Sequence, residues 1–402
     1  MVAASNCWGL SLSGSLVVVM GTQAYDSNFS AQGDFQVADL LQMLGRAGRP
    51  GLDARGKALV FCNAPRKEYY KKFLLEPLPL ESHLDSMLHD HLNAEIVTRT
   101  VESKQDAVDY ITWTLYYRRI SQNPNYYQMQ GVTHRHISDH LSDMIETIVS
   151  DLETSKCVSV EEDMDLAPLN LGMISSYYYI KYTTLELFSR SLQPKTKLKG
   201  LLEILSAATE FETLPVRPGE EDAIRKVIAH APVAVNNPEF TNPHTKANAL
   251  IQTHLSRQAL AGDMSSDKDT VIRIAKRLVS AMVDVISSSG WLKPALVAME
   301  LCQSLTQALW HKDSVLMQLP HFDKGRCELA KEKGVESVYD VLDAEDDVRE
   351  SLLENMTEKQ QEEVAEACNS YPNIELSYDA QRIDDGDRVL LQVKGGGKER
   401  EN

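Results

Sequence analysis

The feature that most constrains the fold is a series of amphipathic segments between residues 166 and 318. Apolar residues recur in them at three- and four-residue spacing, which is typical of helices, and Pro, Gly or Asn residues separate the segments. Because each such helix has one apolar face to bury, the series predicts a helical bundle over residues 166–318. The predicted helices cover residues 183–191, 199–209, 220–230, 246–260, 269–289 and 295–309.

The longest predicted helix, residues 269–289, has two different sides. Apolar residues follow one side at helical spacing, and the other side carries Arg273, Lys276, Arg277 and Ser280. A row of cations beside a small polar residue can bind successive phosphates of a nucleic-acid backbone without choosing a sequence. The alternative is a solvated outer face of the bundle, since charged outer faces are usual in helical proteins.

The charge balance limits the classes of partner. With 402 residues, 43% of them hydrophobic, and a net charge of -17, the chain is expected to be a soluble protein of two to four domains. The acidity argues against a protein that coats nucleic acid with its whole surface, but it leaves room for a local basic channel. No apolar run reaches membrane-spanning length, and no basic region precedes the first apolar run. We therefore expect neither a membrane partner nor a signal peptide.

Cysteine and histidine residues form no recognisable metal-binding pattern. The six cysteines lie far apart in the sequence, which is typical of reduced thiols in a nuclear or cytosolic protein. His134, His136 and His140 are close in sequence, and a second group of histidines lies at residues 83–91. Neither group has the glutamate of a metalloprotease pattern or cysteine ligands. We expect no bound metal.

The first 77 residues have the pattern of an α/β unit. Residues 16–20 predict a buried parallel strand, and residues 58–62 predict a second strand. Between them, residues 42–49 read Gln-Met-Leu-Gly-Arg-Ala-Gly-Arg. The spacing of Arg46 and Arg49 places both on one face of a predicted helix, where their guanidinium groups can bind phosphate. A capped surface helix with two solvated arginines is the alternative.

Residues 78–165 are typical of a winged-helix domain. Amphipathic patterns over residues 82–97, 104–120 and 138–154 predict three helices, and residues 157–160 predict a short strand after them. Three helices followed by a short strand are typical of a winged-helix domain.

The remaining residues predict two smaller units. Residues 319–371 contain a Gly-centred turn into a helix, as in helix-loop-helix units. Eleven Asp and Glu residues between Asp340 and Glu366 favour scaffolding over nucleic-acid binding there. Residues 372–402 predict the first strands of an immunoglobulin-like β-sandwich, with a disordered tail from residue 395.

The arginine-containing stretch resembles the sixth motif of superfamily-two helicases, in the pattern Gln-x-x-Gly-Arg-x-Gly-Arg. Residues 3–10 resemble the fifth motif of the same family. The resemblance implies that Arg49 is an arginine finger, which reaches the transferring phosphate of ATP, and that Arg46 is a second phosphate contact. It also implies that Gly45 and Gln42 contact the nucleotide, or water beside it.

Four further sequence segments show a more specific resemblance to one branch of these helicases. Residues 91–97, 117–119, 123–127 and 169–174 are similar to the second cassette of the large spliceosomal RNA helicases of the U5 small nuclear ribonucleoprotein, a DExH-type branch of superfamily two. In that family a Sec63 homology region follows the ATPase lobes. The resemblance implies a mainly α fold: the end of a RecA-like α/β lobe, then a winged helix, a helical bundle, a helix-loop-helix unit and the start of a β-sandwich.

The same resemblance implies functional roles. The helix at residues 269–289 corresponds to a ratchet helix under a translocating RNA strand, with Arg273, Lys276, Arg277 and Ser280 as RNA contacts. Arg217 lies in another family-like phrase, and is either an RNA contact or a structural salt-bridge residue. The implied partners are small nuclear RNA, as a duplex or single strand, other spliceosomal proteins and the missing N-terminal helicase lobes. The implied location is the nucleus.

Two sequence patterns needed for ATP turnover are absent from the chain. It contains neither a Gly-x-x-x-x-Gly-Lys-Ser/Thr phosphate loop nor a DExH box. We therefore expect a C-terminal part of a helicase that is inactive alone, with ATP and Mg bound only in the complete helicase.

Two functional hypotheses from different classes remain open. The first is RNA guidance, with two arginines contributed to an ATP site. The second is a regulatory pseudo-helicase cassette that acts as a scaffold for splicing factors. Ser11 and Ser13 and the acidic helices favour the second hypothesis, whereas the intact arginine motif favours the first. A related helicase of DNA repair or ribosome rescue is a third alternative.

Overall fold

The structure is a computed structural model that describes residues 2, 4–9, 12–26, 31–75, 80–372, 374–383 and 388–397. The chain folds into two compact units, residues 1–306 and residues 307–402. The architecture is mainly helical and includes a winged-helix domain, which confirms the predicted fold class. None of the helices in the described ranges combines the length and hydrophobicity that crossing a bilayer requires.

The first unit begins with an α/β segment. Its elements are β1 (Leu16–Val19), β2 (Gln23–Asp26), β3 (Ala31–Asp34), α1 (Val37–Leu44), β4 (Lys57–Val60) and α2 (Lys67–Leu75). β1 is a parallel strand, as predicted, and its partner is β4, whereas β2 pairs antiparallel with β3. The predicted burial of β1 is wrong, however, because Val19 is buried but Leu16 is 51% exposed. The buried core in this described segment is small and consists of Val19, Leu40 and Tyr70.

A winged-helix domain follows. Its elements are α3 (Leu88–Val97), α4 (Lys104–Thr112), α5 (Leu115–Gln122), α6 (His134–Thr154), β5 (Val158–Glu161) and β6 (Asp165–Pro168). The two strands pair antiparallel and form the wing. The prediction of one helix over residues 104–120 is wrong, because Thr114 is extended, with φ of -88° and ψ of 163°, and separates α4 from α5. The domain core includes Leu88, Leu92, Ile96, Ile111, Ile120, Leu141, Ile145 and Leu152.

The helical bundle completes the first unit. Its helices are α7 (Asn170–Tyr178), α8 (Tyr182–Ser191), α9 (Leu198–Ser206), α10 (Glu221–Ala229), α11 (Pro243–Leu255), α12 (Asp263–Ser288) and α13 (Leu292–Gln307). α12 packs against α7, α8, α9 and α11. It begins at Asp263 rather than at residue 269, directly after Gly262, whose φ of 60° is unfavourable for residues other than glycine.

In its described residues, the second unit contains four short α-helices and a hairpin. Its elements are α14 (Lys324–Glu332), α15 (Val338–Asp343), α16 (Asp346–Leu352), α17 (Glu358–Asn369), β7 (Ile374–Ile383) and β8 (Arg388–Gly397). β7 and β8 pair antiparallel, with Ile374 opposite Gly397. Residues 395–397, which we predicted to begin a disordered tail, therefore lie in β8, whereas residues 398–402 lie outside the described residues. The helical part has its own core, which includes Leu316, Phe322, Val338, Leu352 and Val364.

Candidate nucleic-acid interface and arginine motif

α12 has one buried side and one polar side. The polar side carries exposed Arg273 and Arg277, with Lys276 and Ser280 half-buried beside them. The Ser280 hydroxyl donates a hydrogen bond to the Lys276 carbonyl at 3.1 Å, which binds it to its own helix. The buried side includes Val271, Ala275, Leu278, Val279, Met282 and Ile286.

Arg273 and Arg277 have no ion-pair partner in the part of the chain that the structure describes. They are four residues apart on a helix, so their backbones are separated by about 6 Å along its axis. Because the buried side of α12 fixes the helix backbone, the two cations form a row on a rigid support. An unpaired pair of guanidinium groups can bind two phosphates through charge-assisted hydrogen bonds.

An aromatic pair adjoins the far end of this polar row. Asp284, one turn beyond Ser280, accepts a hydrogen bond from the hydroxyl of Tyr178 on α7 at 2.8 Å. Burial, and then the hydrogen bond to Asp284, raise the pKa of Tyr178 to about 12, so its hydroxyl stays protonated at neutral pH. Tyr177 packs its ring edge against Tyr178, with centroids 4.8 Å apart, and is 77% exposed. An exposed ring of this kind can stack on a nucleobase.

Arg217 lies in an ionic network rather than in the row on α12. Its Nη1 donates to Asp267 Oδ2 at 2.6 Å and to Glu220 Oε1 at 2.9 Å. The Nζ of Lys246, which is completely buried, donates to the same two carboxylates at 2.7 and 2.6 Å. This geometry favours the structural alternative for Arg217.

The charges of this network compensate one another inside the bundle. Burial alone would raise the pKa of Asp267 and of Glu220, but hydrogen bonds from Arg217 and Lys246 outweigh it and lower both pKa values. Asp267 and Glu220 are therefore ionised at neutral pH, and the hydrogen bond to Asp267 raises the pKa of Arg217, which keeps its positive charge beside them. Lys246 also donates to the Pro215 carbonyl at 2.5 Å, so the network joins the loop before α10 to α11 and α12.

Arg46 and Arg49 do not share a helix face, which corrects the sequence prediction. α1 ends at Leu44, Arg46 lies in the following turn, and Gly48 has a φ of 103°. The backbone beyond α1 pairs with Gly14 instead. The Gly14 N–H donates to the Arg46 carbonyl at 3.1 Å, and the Gly48 N–H donates to the Gly14 carbonyl at 2.7 Å. Glycines weaken the continuation of a helix, which makes this exchange of partners favourable.

Both guanidinium groups of the motif have partners within the chain. Arg46 donates from Nε and Nη2 to the Cys7 carbonyl at 3.2 and 2.7 Å. Arg49 forms a bidentate salt bridge with Asp53, at 2.8 Å from Nε and 2.9 Å from Nη2, and its side chain is 46% exposed. The hydrogen bond from Arg49 lowers the pKa of Asp53, so this carboxylate is ionised and would compete with a phosphate for Arg49.

Gln42 and Gly45 lie at the end of α1, beside the same turn. Gln42 is half-buried, and the Gly45 N–H donates to the Leu41 carbonyl at 2.8 Å, which ends the helix. At the start of α1, the Trp8 indole donates to Asp39 at 2.6 Å. The fold thus brings the two motif-like stretches into contact, although they are more than thirty residues apart.

Sequence reasoning did not anticipate a second polar network, in the winged-helix domain. Glu81 accepts hydrogen bonds from Arg119 at 2.7 and 3.0 Å, from Asn123 at 2.8 Å and from Tyr127 at 3.0 Å. Arg119, Asn123 and Tyr127 lie in the segments 117–119 and 123–127, which resemble the spliceosomal helicases. This resemblance was the sequence signal that could have located the network. The hydrogen bonds from Arg119 and then Asn123 lower the pKa of Glu81 to about 2.

A Glu81→Gln variant is expected to lose a pH-dependent part of the stability. The pKa of Glu81 is lower in the folded chain than the value of about 4.3 for an unfolded chain. Its contribution is therefore complete above the unfolded pKa and disappears as the pH falls toward about 2. Thermal unfolding followed by circular dichroism should show a wild-type advantage at pH 7 that shrinks between pH 5 and pH 3. An exposed Glu153→Gln variant is the control, and a pH-independent difference for Glu81→Gln would contradict this assignment.

Comparison with known protein families matches both the winged-helix domain and the region after it. The model of the winged helix-turn-helix domain matches residues 81–162, and the model of the Sec63 Brl domain matches residues 168–395. The second match covers more than half of the chain. This chain belongs to the Sec63 Brl domain family.

This Sec63 Brl chain is also similar to curated helicases over nearly its whole length. It is 54% identical over 399 residues, 98% of the chain, to DExH-box ATP-dependent RNA helicase DExH12 of Arabidopsis thaliana. It is 53% identical over 393 residues, 97% of the chain, to the U5 small nuclear ribonucleoprotein 200 kDa helicase of Homo sapiens. These matches confirm the resemblance to the large spliceosomal helicases.

A more distant relative belongs to a differently named group. The Sec63 Brl chain is 46% identical over 376 residues, 92% of the chain, to the activating signal cointegrator 1 complex subunit 3-like protein of Dictyostelium discoideum. The chain spans 18% of the length of the Arabidopsis and human relatives and 17% of this one.

Proposed function

We propose that this Sec63 Brl chain guides single-stranded RNA along the polar side of α12, as part of a spliceosomal ATP-dependent RNA helicase. The observation that carries the proposal is the pair Arg273 and Arg277. Both are exposed, they lie one turn apart, and neither has an ion-pair partner in the described ranges. In a chain with a net charge of -17, two such arginines form a local positive row on an otherwise repulsive surface for RNA.

The proposed RNA contacts are made to the backbone. Arg273 and Arg277 hold phosphates, and Lys276 between them adds a third cation. Ser280 continues the row with a small side chain that lets the strand approach α12. Exposed Tyr177 can stack on a base at the far end. Stacking on an unpaired base favours single strands, and phosphate contacts carry no sequence information.

This binding mode has a direct test with the 402-residue chain. In fluorescence anisotropy, labelled single-stranded RNAs of equal length and different sequence are expected to bind within about threefold of one another, because phosphate contacts carry no sequence information. Binding should weaken steeply as KCl is added. A strong preference for one sequence, or affinity that does not change with salt, would contradict backbone binding by cations.

The arginine motif has a second proposed role, in the complete helicase. Arg49 would exchange Asp53 for a phosphate of ATP, which carries more negative charge than one carboxylate. Arg46, with two hydrogen bonds to the Cys7 carbonyl, supports the turn and lies beside Gly45 and Gln42. ATP with Mg would supply the transferred phosphate there, and the other residues of the site would come from the helicase lobes that carry the phosphate loop and the DExH box. This chain alone is expected to hydrolyse no ATP.

The names of the relatives support the proposed setting. The human relative is named as a U5 small nuclear ribonucleoprotein helicase, which supports RNA and other spliceosomal proteins as partners and the nucleus as the location. One observation favours the regulatory scaffold as a second candidate function: both motif arginines already have partners inside the chain. The two functions differ in whether Arg49 leaves Asp53 when ATP binds to the complete helicase.

A further inference from the structure

A cavity in the winged-helix domain has no role in the proposed RNA or ATP functions. Its volume is about 330 Å³, and it lies between the segment before α3, the α5 region and α6. Tyrosine and histidine rings form most of its wall. The residues that matter for its chemistry are Tyr116, Tyr126, Tyr127, His83, His140 and Asp85.

The aromatic rings around the cavity are steeply inclined to one another. The Tyr116 and Tyr127 centroids are 5.2 Å apart at an interplanar angle of 84°, and those of Tyr126 and Tyr127 are 5.0 Å apart at 73°. The ring centroids of His83 and Tyr126 are 6.2 Å apart, and the planes of the two rings are inclined at 67°. These edge-to-face contacts fix the orientation of the rings, and Tyr126, which is 50% exposed, and Tyr127 form the accessible aromatic wall of the cavity. This arrangement suits a compact group that contacts several rings together.

Hydrogen bonds hold two of these tyrosines in place without a ligand. The Tyr127 hydroxyl accepts from the Ser82 N–H at 2.8 Å and donates to Glu81 at 3.0 Å. The Tyr116 hydroxyl lies 3.2 Å from Nε2 of His140. Burial, followed by the nearby charge of Asp85, raises the pKa of Tyr116 to about 12, so its ring remains a neutral phenol. A wall that is already ordered loses little entropy when a ligand enters.

The charge of the cavity selects among possible occupants. Asp85 is the acidic residue in the lining, and no Lys or Arg belongs to the lining of this described cavity. Glu81, which bonds Tyr127, adds a carboxylate behind the wall, although Arg119 pairs with it. A phosphate-bearing ligand such as RNA would meet a negative charge with no cation to hold it. A cation would meet both the carboxylate of Asp85 and the negative faces of the rings.

We propose that this cavity binds the cationic head of a basic side chain, arginine or methylated lysine, presented by a protein partner. The planar guanidinium and the methylated ammonium are weakly hydrated cations that aromatic walls recognise, and the cavity is large enough for either head group. Asp85 supplies the counter-charge, Tyr126 and Tyr127 supply the aromatic surface, and buried Tyr116 packs behind Tyr127. The inference is independent of RNA binding by α12, because it uses no residue of that helix.

Saturation-transfer difference NMR on the 402-residue chain tests the proposal with small blocked amino acids as probes. Nα-acetyl-arginine methylamide and Nα-acetyl-trimethyllysine methylamide are expected to receive saturation at millimolar concentration. The matching citrulline derivative, which has nearly the same shape without the charge, should receive little. If citrulline binds as well as arginine, or if uridine 5′-monophosphate binds better than both cations, the proposal is wrong. It is also wrong if no cationic probe binds.

Three substitutions locate the binding in this cavity. Asp85→Asn removes the counter-charge at an exposed position, and Tyr126→Leu removes a half-exposed ring while it keeps an apolar side chain. Each should weaken binding of the arginine probe about threefold or more. Asp109→Asn on α4 is the matched control, because it removes an exposed carboxylate outside the cavity and should leave binding unchanged. Equal effects of Asp85→Asn and Asp109→Asn would overturn the assignment.

Discussion

Lys246→Ala is expected to lower the free energy of unfolding of the first unit by about 3–5 kcal/mol. The ammonium group of Lys246 is completely buried and donates hydrogen bonds to Glu220, Asp267 and the Pro215 carbonyl. Without it, Arg217 alone would face Glu220 and Asp267, and it also pairs with exposed Asp263. The cost comes from the uncompensated buried charge and the lost hydrogen bonds, and the cavity left by the lysine stem adds to it.

Urea unfolding followed by circular dichroism measures this loss as a lower midpoint. The matched control is Lys226→Ala on α10, which removes an exposed lysine and should change the stability by less than about 0.5 kcal/mol. A Lys246→Met variant, which keeps the length of the side chain, separates the charge from the cavity. Both Lys246 variants should unfold well before the control. A midpoint for Lys246→Ala equal to that of Lys226→Ala would show that the network contributes little.

The second large effect is expected on RNA binding. An Arg273→Gln and Arg277→Gln double variant should weaken single-stranded RNA binding at least tenfold, about 1.4 kcal/mol, at moderate salt. Each lost phosphate contact also removes about 0.7 from the slope of log affinity against log salt for a single strand. The double variant should therefore have a salt dependence shallower by about 1.4. Anisotropy titrations at several KCl concentrations give both quantities.

The control for this variant removes the same charge elsewhere. Arg135 on α6 and Arg190 on α8 are exposed, and each pairs with a carboxylate four residues away in its own helix. The Arg135→Gln and Arg190→Gln double variant changes the net charge by the same amount as the α12 double variant. Its effect on RNA affinity therefore reports only the change in the overall electrostatic potential of the protein. If the two double variants bind RNA equally, then the row on α12 is a solvated face of the bundle.

Helices with strong periodicity could be predicted from sequence because their signals are local. Apolar spacing and the residues that punctuate the segments predicted six bundle helices, but not α7. Arg273 and Arg277 lie on the exposed side of α12, as their spacing required. The start of α12 was missed by more than one turn. Before residue 269 the helix has one apolar side chain, Met264, which gives no apolar period. The residue that ends the preceding loop is Gly262, with a positive φ.

Features that depend on distant partners could not be predicted in this way. α1 ends before Arg46 because Gly14, from a different part of the chain, takes the backbone hydrogen bonds. Arg217 could have faced RNA or carboxylates, and only the fold brings Asp267 and Lys246 to it. From the sequence, Lys246 is predicted only as the first residue of a helix. Its burial could not be predicted, because a single lysine forms no periodic pattern that would mark it as a core residue. Long-range pairing of this kind is decided by packing, not by propensity.

The claim that RNA runs along α12 can be tested most directly by photo-crosslinking. A single-stranded RNA containing 4-thiouridine is bound to the 402-residue chain, irradiated and digested, and the crosslinked peptides are mapped by mass spectrometry. We expect crosslinks within α12 and at the end of α7 near Tyr177, and we expect the Arg273→Gln and Arg277→Gln variant to lose them. Crosslinks that avoid both helices, and that remain unchanged in this variant, would contradict RNA guidance by the polar side of α12.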